Sequence, residues 1–265
     1  MDKQWWADYR KGITASTNST GGIVGLVSLG ITAASAVISI PIVTIGGTVF
    51  LCASIVYVLS TGLPEKKRDA SDCCGEKLAL SDLDRIKLPV TRVALMGASR
   101  VGKTTLMDNL NAKVPDGSRT DSPYAMIVQL PGASKKYIAI LDAAGQQFSQ
   151  QFQITDSANA LLIFVDHADS NTESMKPERL IEHSQFLEQL RRHIVNKGLR
   201  SLRVHILFNK KDLWNSGPDA VDLQSWFSEQ IKLWDNLTNK PVTASIFSNW
   251  NTLDQTLLTN TISGW

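Results

Sequence analysis

"TRVALMGASRVGKTTLMDNL", residues 91–110, is the stretch whose reading decides the fold. "TRVALM" has the make-up of a buried strand, and "GKTTLMDNL" opens as a helix. Between them Gly97 and Gly102 enclose four residues, and Lys103 and Thr104 follow at once. Strand, glycine-rich turn and helix in direct succession form a loop that wraps a phosphate chain. Glycine lets the backbone approach closely, the loop amides point at the phosphate, and the helix N-terminus adds partial positive charge. The expected nucleotide contacts are Gly97, Ala98, Ser99, Arg100, Val101, Gly102, Lys103, Thr104 and Thr105. Lys103 reaches the β- and γ-phosphates, and the Thr104 hydroxyl serves Mg²⁺.

Outward from that stretch, apolar runs of strand length alternate with helical patterns. The strand candidates are "VTRVALMG", "YAMIVQL", "KYIAILD", "ALLIFVD", "RVHILFNK" and "PVTASIF". Helices are expected near 103–113, 146–157, 177–197, 219–236 and 250–263. Nearly continuous apolar strands between helices predict a sheet covered on both faces, a doubly wound α/β domain. "YAMIVQL" and "KYIAILD" are joined by a short Pro-Gly turn, so an antiparallel edge pair is expected.

Further site residues follow in chain order. Asp142 ends "KYIAILD", and Gly145 and Gln146 follow in "DAAGQ". A carboxylate at a strand end can hold Mg²⁺ through water, a glycine amide can bond a γ-phosphate, and the glutamine can orient an attacking water. "LFNKKDLW" then supplies Asn209, Lys210 and Asp212. A carboxylate accepts from both N1–H and the N2 amino group of guanine, a donor pair that adenine lacks. Lys210 can lie along base and ribose, and Asn209 can brace the loop. The Ala244 amide in "VTASIF" is a candidate for guanine O6.

Taken together, "GASRVGKT", "DAAG", "NKKD" and "TAS" in this order resemble a small Ras-like P-loop GTPase over residues 90–263. The resemblance implies a six-stranded, mostly parallel sheet with helices on both faces. It also implies binding of GTP and GDP with Mg²⁺, a change of shape between them, and hydrolysis that is slow without a partner. The family needs a threonine that meets both Mg²⁺ and the γ-phosphate. "VPDGSRTDSPYAM" offers Thr120 by position, with Ser118 and Ser122 as rivals. The metal set expected is therefore Thr104, Thr120 and Asp142, and the catalytic pair Gln146 and Lys103.

The N-terminal quarter differs from the rest. No Asp, Glu, Lys, Arg or His occurs from Gly12 through Pro64. As one helix, residues 21–60 would run about 60 Å against a hydrocarbon thickness of about 30 Å. Two spans turning near Pro41 and Gly46-Gly47 fit better, and Arg10, Lys11, Lys66, Lys67 and Arg68 on the flanks place both ends on the cytoplasmic side. A single span over 42–61 is the alternative. The expected organisation is a cytoplasmic segment 1–20, a transmembrane hairpin 21–61, a linker 62–89 and a GTPase domain 90–265. The layout is similar to that of signal-recognition-particle receptor beta subunits, echoed weakly by "TDSPYA" and "SANALLIFVD".

These features predict an integral membrane protein with its GTPase domain facing the cytoplasm, the lipid bilayer as one partner and a protein effector or activator as another. A receptor subunit or scaffold that binds GTP with little turnover is the alternative. A net charge of +2 over 265 residues gives no broad basic surface for nucleic acid. Cys52, Cys73 and Cys74 form neither a disulfide framework nor a zinc spacing.

Overall fold

The structure is a computed structural model that describes residues 67–265 apart from Leu88, 113–119, Asp121 and 131–135. Its centre is the run Ala160–Val165, which is buried at every residue. This strand is β5. Six others complete the sheet: β1 (Lys77–Leu78), β2 (Thr91–Met96), β3 (Tyr124–Leu130), β4 (Lys136–Asp142), β6 (Arg203–Phe208) and β7 (Thr243–Ile246). The order is β1-β3-β4-β2-β5-β6-β7. Pairing is parallel from β4 through β2, β5 and β6 to β7, and antiparallel for β3 with β4 and with β1. The fold is thus α/β with a seven-stranded mixed sheet.

Side chains alternate across each strand, and both sides are apolar. Ala94 and Met96 of β2 with Leu161, Ile163 and Val165 of β5 face one core. Val93 and Leu95 with Ala160, Leu162 and Phe164 face the other. The first core is covered by α2 (Phe148–Asp156), α3 (Pro177–Asn196) and α5 (Ala220–Lys232). The second is covered by α1 (Lys103–Leu110) and α6 (Thr252–Ser263). A short helix, α4 (Lys211–Trp214), follows β6. On α3, His183, Phe186, Leu187, Leu190 and Ile194 are buried, whereas Ile181 is exposed. Trp214 and Trp234 are fully buried core residues.

Two expectations change. The stretch 62–89 reads as a linker, yet the compact unit begins at Lys67. Short 3-10 turns at Ser71–Cys73 and Leu80–Arg85 flank β1, which adds an antiparallel edge to β3. Cys73, Leu78, Leu83 and Ile86 are buried in the first core. The sheet therefore has one strand more than the six expected, and β3 is not its edge. A chain beginning at residue 90 is expected to lose about 5 kcal/mol against one beginning at Lys67, since each buried large aliphatic side chain contributes about 1.5–3 kcal/mol. That is a large share of a domain's stability. Urea unfolding of the two chains measures it, and equal midpoints would show that the segment adds nothing.

The second change concerns localisation. Among the described residues no helix is long and apolar enough to cross a membrane, and the integral-membrane localisation is corrected on that finding. α3, at 20 residues, has the length. It also carries Glu178, Arg179, Glu182, Glu188, Arg191 and Arg192, whose transfer into hydrocarbon is costly. The segments expected as a cytoplasmic tail (1–20) and a hairpin (21–61) lie outside the described residues.

Candidate functional site

The site is built on the carboxyl ends of the parallel strands, where helices begin and backbone amides are free to bind a ligand. β2 ends at Met96, and residues 97–102 loop over to α1. Five carbonyls of this loop are held by side-chain donors. Lys103 Nζ donates to Gly97 O at 2.8 Å and Ala98 O at 2.9 Å. Arg179 Nη2 donates to Ser99 O at 2.8 Å, Asn209 Nδ2 to Val101 O at 2.8 Å and Asn249 Nδ2 to Gly102 O at 3.0 Å. The backbone amides of residues 98–102 have no hydrogen-bond acceptor among the described residues. Carbonyls held by side-chain donors and amides left unpaired make a concave nest of donors for an anion.

The absence of a side chain matters most at Gly102 and Gly145. Gly102 has φ +97°, and a Cβ on it would lie 2.3 Å from Asn209 Nδ2 and 2.5 Å from Asn249 Nδ2. Gly145 packs on the loop, where a Cβ would sit 2.7 Å from Ser99 N and 2.8 Å from Ala98 O. The sequence pairs Asp142 with Gly145, and the fold sets that glycine directly against the phosphate-type loop.

A cavity of about 520 Å³ lies over the loop. Ser99, Arg100, Gly102, Lys103, Thr104 and Thr105 line it on one side, and Thr120, Asp142, Gly145 and Gln146 on the other. Lys103 is 6% exposed. Burial lowers its ammonium to about 8, against the opposing pull of Asp142. Burial likewise raises the Asp142 carboxyl, with Lys103 and the Thr120 hydroxyl pulling it back. Thr120 Oγ1 donates to Asp142 Oδ2 at 2.7 Å, while Asp142 Oδ1 is buried with no partner. Thr120, expected from position alone as a ligand of Mg²⁺, lies beside Asp142. Of its rivals, Ser118 lies outside the described residues. Gln146 is exposed at the cavity wall, and Arg100 is exposed with φ +63°.

The second half of the site surrounds the end of β6. Asn209 is 2% exposed and braces the loop. Lys210 adopts φ +59° and donates from Nζ to Ala168 O at 2.7 Å. Asp212 is exposed and accepts from Ser248 Oγ at 2.6 Å. Trp250 N donates to the same hydroxyl at 3.1 Å.

Ala244 was the candidate for guanine O6. It sits inside β7, paired with Ile206. The chain that reaches Asp212 is Ser248–Asn249, beyond the strand end, because the β6–β7 register puts Phe208 opposite Ile246.

Residues with no motif complete the site. Gln151 on α2 accepts from Gly97 N at 2.8 Å and donates to Gly145 O at 3.2 Å, joining the two glycine segments. Asn249 and Arg179 pin the loop as described. Of these, only Asn249 had a sequence signal, its place just after the last strand.

No family model matches the chain, and no curated protein matches it. Among solved structures, 823 chains match. One is a crystal structure of an SsGBP mutation variant, 16% identical with TM-score 0.46. The match covers 66% of this chain and 55% of that one, so it spans little more than half of that protein's length.

Proposed function

We propose that the chain is a nucleotide-dependent switch that binds GTP and GDP with Mg²⁺ and hydrolyses GTP. The observation that carries this reading is the loop 97–102, with its carbonyls held by Lys103, Arg179, Asn209 and Asn249 beside the cavity that Lys103 lines. Such a nest with a buried ammonium matches a polyphosphate in shape and sign.

The cation set fits Mg²⁺. Asp142 Oδ1 is a buried acceptor without a donor, and the hydroxyls of Thr104 and Thr120 share its cavity. These are hard oxygen donors, and too few for an all-protein cage, which suits an ion that retains waters and substrate oxygens. When bound, Mg²⁺ would neutralise charge on the phosphates.

This chain's own residues supply the rest. Lys103 and the loop amides hold the phosphates, and Asp212 selects the base. Gln146 orients water at the open wall of the cavity. Arg179 is tied to the Ser99 carbonyl and is not free to meet the γ-phosphate, and Arg100, at the cavity wall, is exposed to solvent. Hydrolysis by the chain alone is therefore slow, and a protein partner supplies the missing charge.

Competition between GDP and ADP for a fluorescent guanine nucleotide, with Mg²⁺ present, tests the base assignment. GDP should bind at least about 10²-fold more tightly, since ADP would leave the Asp212 carboxylate unpaired. Equal affinities would sink the guanine reading while leaving a phosphate site.

A further inference from the structure

Behind the loop lies a buried charge cluster that the proposed reaction does not use. Its hub is Asp166, at the end of β5 and 0% exposed. Arg179 Nε donates to Asp166 Oδ1 at 2.6 Å, and His183 Nε2 meets the same oxygen at 2.8 Å. Lys210 Nζ stands 2.7 Å from Oδ2 as an ion pair, off the angle of a hydrogen bond. Burial alone would raise the Asp166 carboxyl, but the bonds from His183 and Arg179 outweigh it and hold it ionised.

Arg179 is 5% exposed and uses every edge of its guanidinium. Besides Asp166 it donates from Nη1 to Glu182 at 2.8 Å and from Nη2 to Ser99 O at 2.8 Å. One planar group therefore joins Asp166 to the phosphate-binding loop. The same Asp166 carboxylate fixes Lys210, the residue beside the base.

We infer that Arg179 is a positioning residue that couples the two halves of the site. Through Asp166 it links the placement of Lys210 to the bond that holds the Ser99 carbonyl, and so to the set of the loop peptides. A base that orders Lys210 against Asp166 also favours the guanidinium geometry that shapes the loop. In a water-excluded network such contacts reinforce one another. A lysine could not replace the arginine, because an ammonium on a flexible stem cannot span both acceptors in one plane.

The inference rests on the nucleotide reading, and the test separates the two. Full-length wild type, Arg179→Lys, Lys210→Met and the double variant are compared by displacement of a fluorescent GDP with GDP and with GMP. Arg179→Lys is expected to weaken GDP by about 10- to 100-fold, the usual loss for a charge-assisted bond. GMP, which lacks the β-phosphate that the loop encloses, should lose markedly less. The joint loss in the double variant should fall short of the product of the single losses, because both residues act through Asp166. If Arg179→Lys does not fold, Asp166→Asn combined with Arg179→Met removes both members of the buried Asp166–Arg179 pair and serves for the same GDP-against-GMP comparison. Equal losses for GDP and GMP, or losses that multiply, would overturn the coupling while leaving the nucleotide site. A wild type that binds no GDP would overturn the nucleotide reading, and the coupling with it.

Discussion

Asp212→Asn is expected to turn a guanine site into a xanthine site. The Asp212 carboxylate lies exposed beside Ser248, whose hydroxyl occupies Oδ1 at 2.6 Å. Its remaining lone pairs face outward and suit the two adjacent donors of guanine. Asparagine keeps an acceptor at Oδ1, so the bond from Ser248 survives and the loop keeps its shape. The new amide N–H₂ meets the guanine amino group donor to donor, but pairs with the oxygen that xanthine carries there. A site built to pair with a polar group rejects the analogue lacking it by about 10⁴–10⁵-fold, so the ratio of GDP to XDP affinity should swing by about that order. Displacement of a fluorescent nucleotide by each ligand measures the swing, with thermal melting as the check on folding. A variant that still prefers GDP would show that Asp212 does not read the base.

The second large effect is on turnover. Gln146 is exposed and lines the cavity together with Thr120 and Asp142. Its amide can accept from a water and donate to the transferring group. Gln146→Leu conserves volume and removes both bonds. Nucleotide contacts from Lys103, Thr104 and Asp212 remain, so GTP affinity should hold while the rate falls. That is the signature of an interaction made only in the transition state. With a partner that supplies an arginine, the loss should reach about 10³–10⁵-fold, because oriented water and added charge act as a unit. Single-turnover hydrolysis with and without cell extract gives the comparison. Identical rates for both proteins in both conditions would leave Gln146 without a catalytic role and favour a GTP-holding scaffold.

Local spacing carried most of the fold and half of the site. β2, the loop and α1 are continuous in the chain, so "GASRVGKT" is enough to place Gly97, Gly102 and Lys103. Asp142, Asn209 and Asp212 were legible for a related reason. Each follows a run of apolar residues that must be a buried strand, and parallel strands deliver their carboxyl ends to one edge of the sheet. The helices were legible from the spacing of Phe186, Leu187, Leu190 and Ile194, though that pattern did not show that Ile181 faces solvent.

What required tertiary structure depended on pairing between distant segments. The β6–β7 register decided that Ser248, not Ala244, stands beside Asp212, and no local pattern fixes where two strands align. Leu78, Leu83 and Ile86 are too sparse among polar residues to announce a core element. They are buried because β3 offered an unpaired edge that β1 could extend. Asn249 grips Gly102 from 147 positions away, and Arg179 reaches Ser99 from 80. The sequence determined where the residues proposed to hold phosphate and base lie, because each set follows directly on a strand end within one motif. The tertiary structure alone decided what holds the loop in shape, because those side chains meet it only after the sheet has brought α3, β6 and the β7–α6 turn to the same edge.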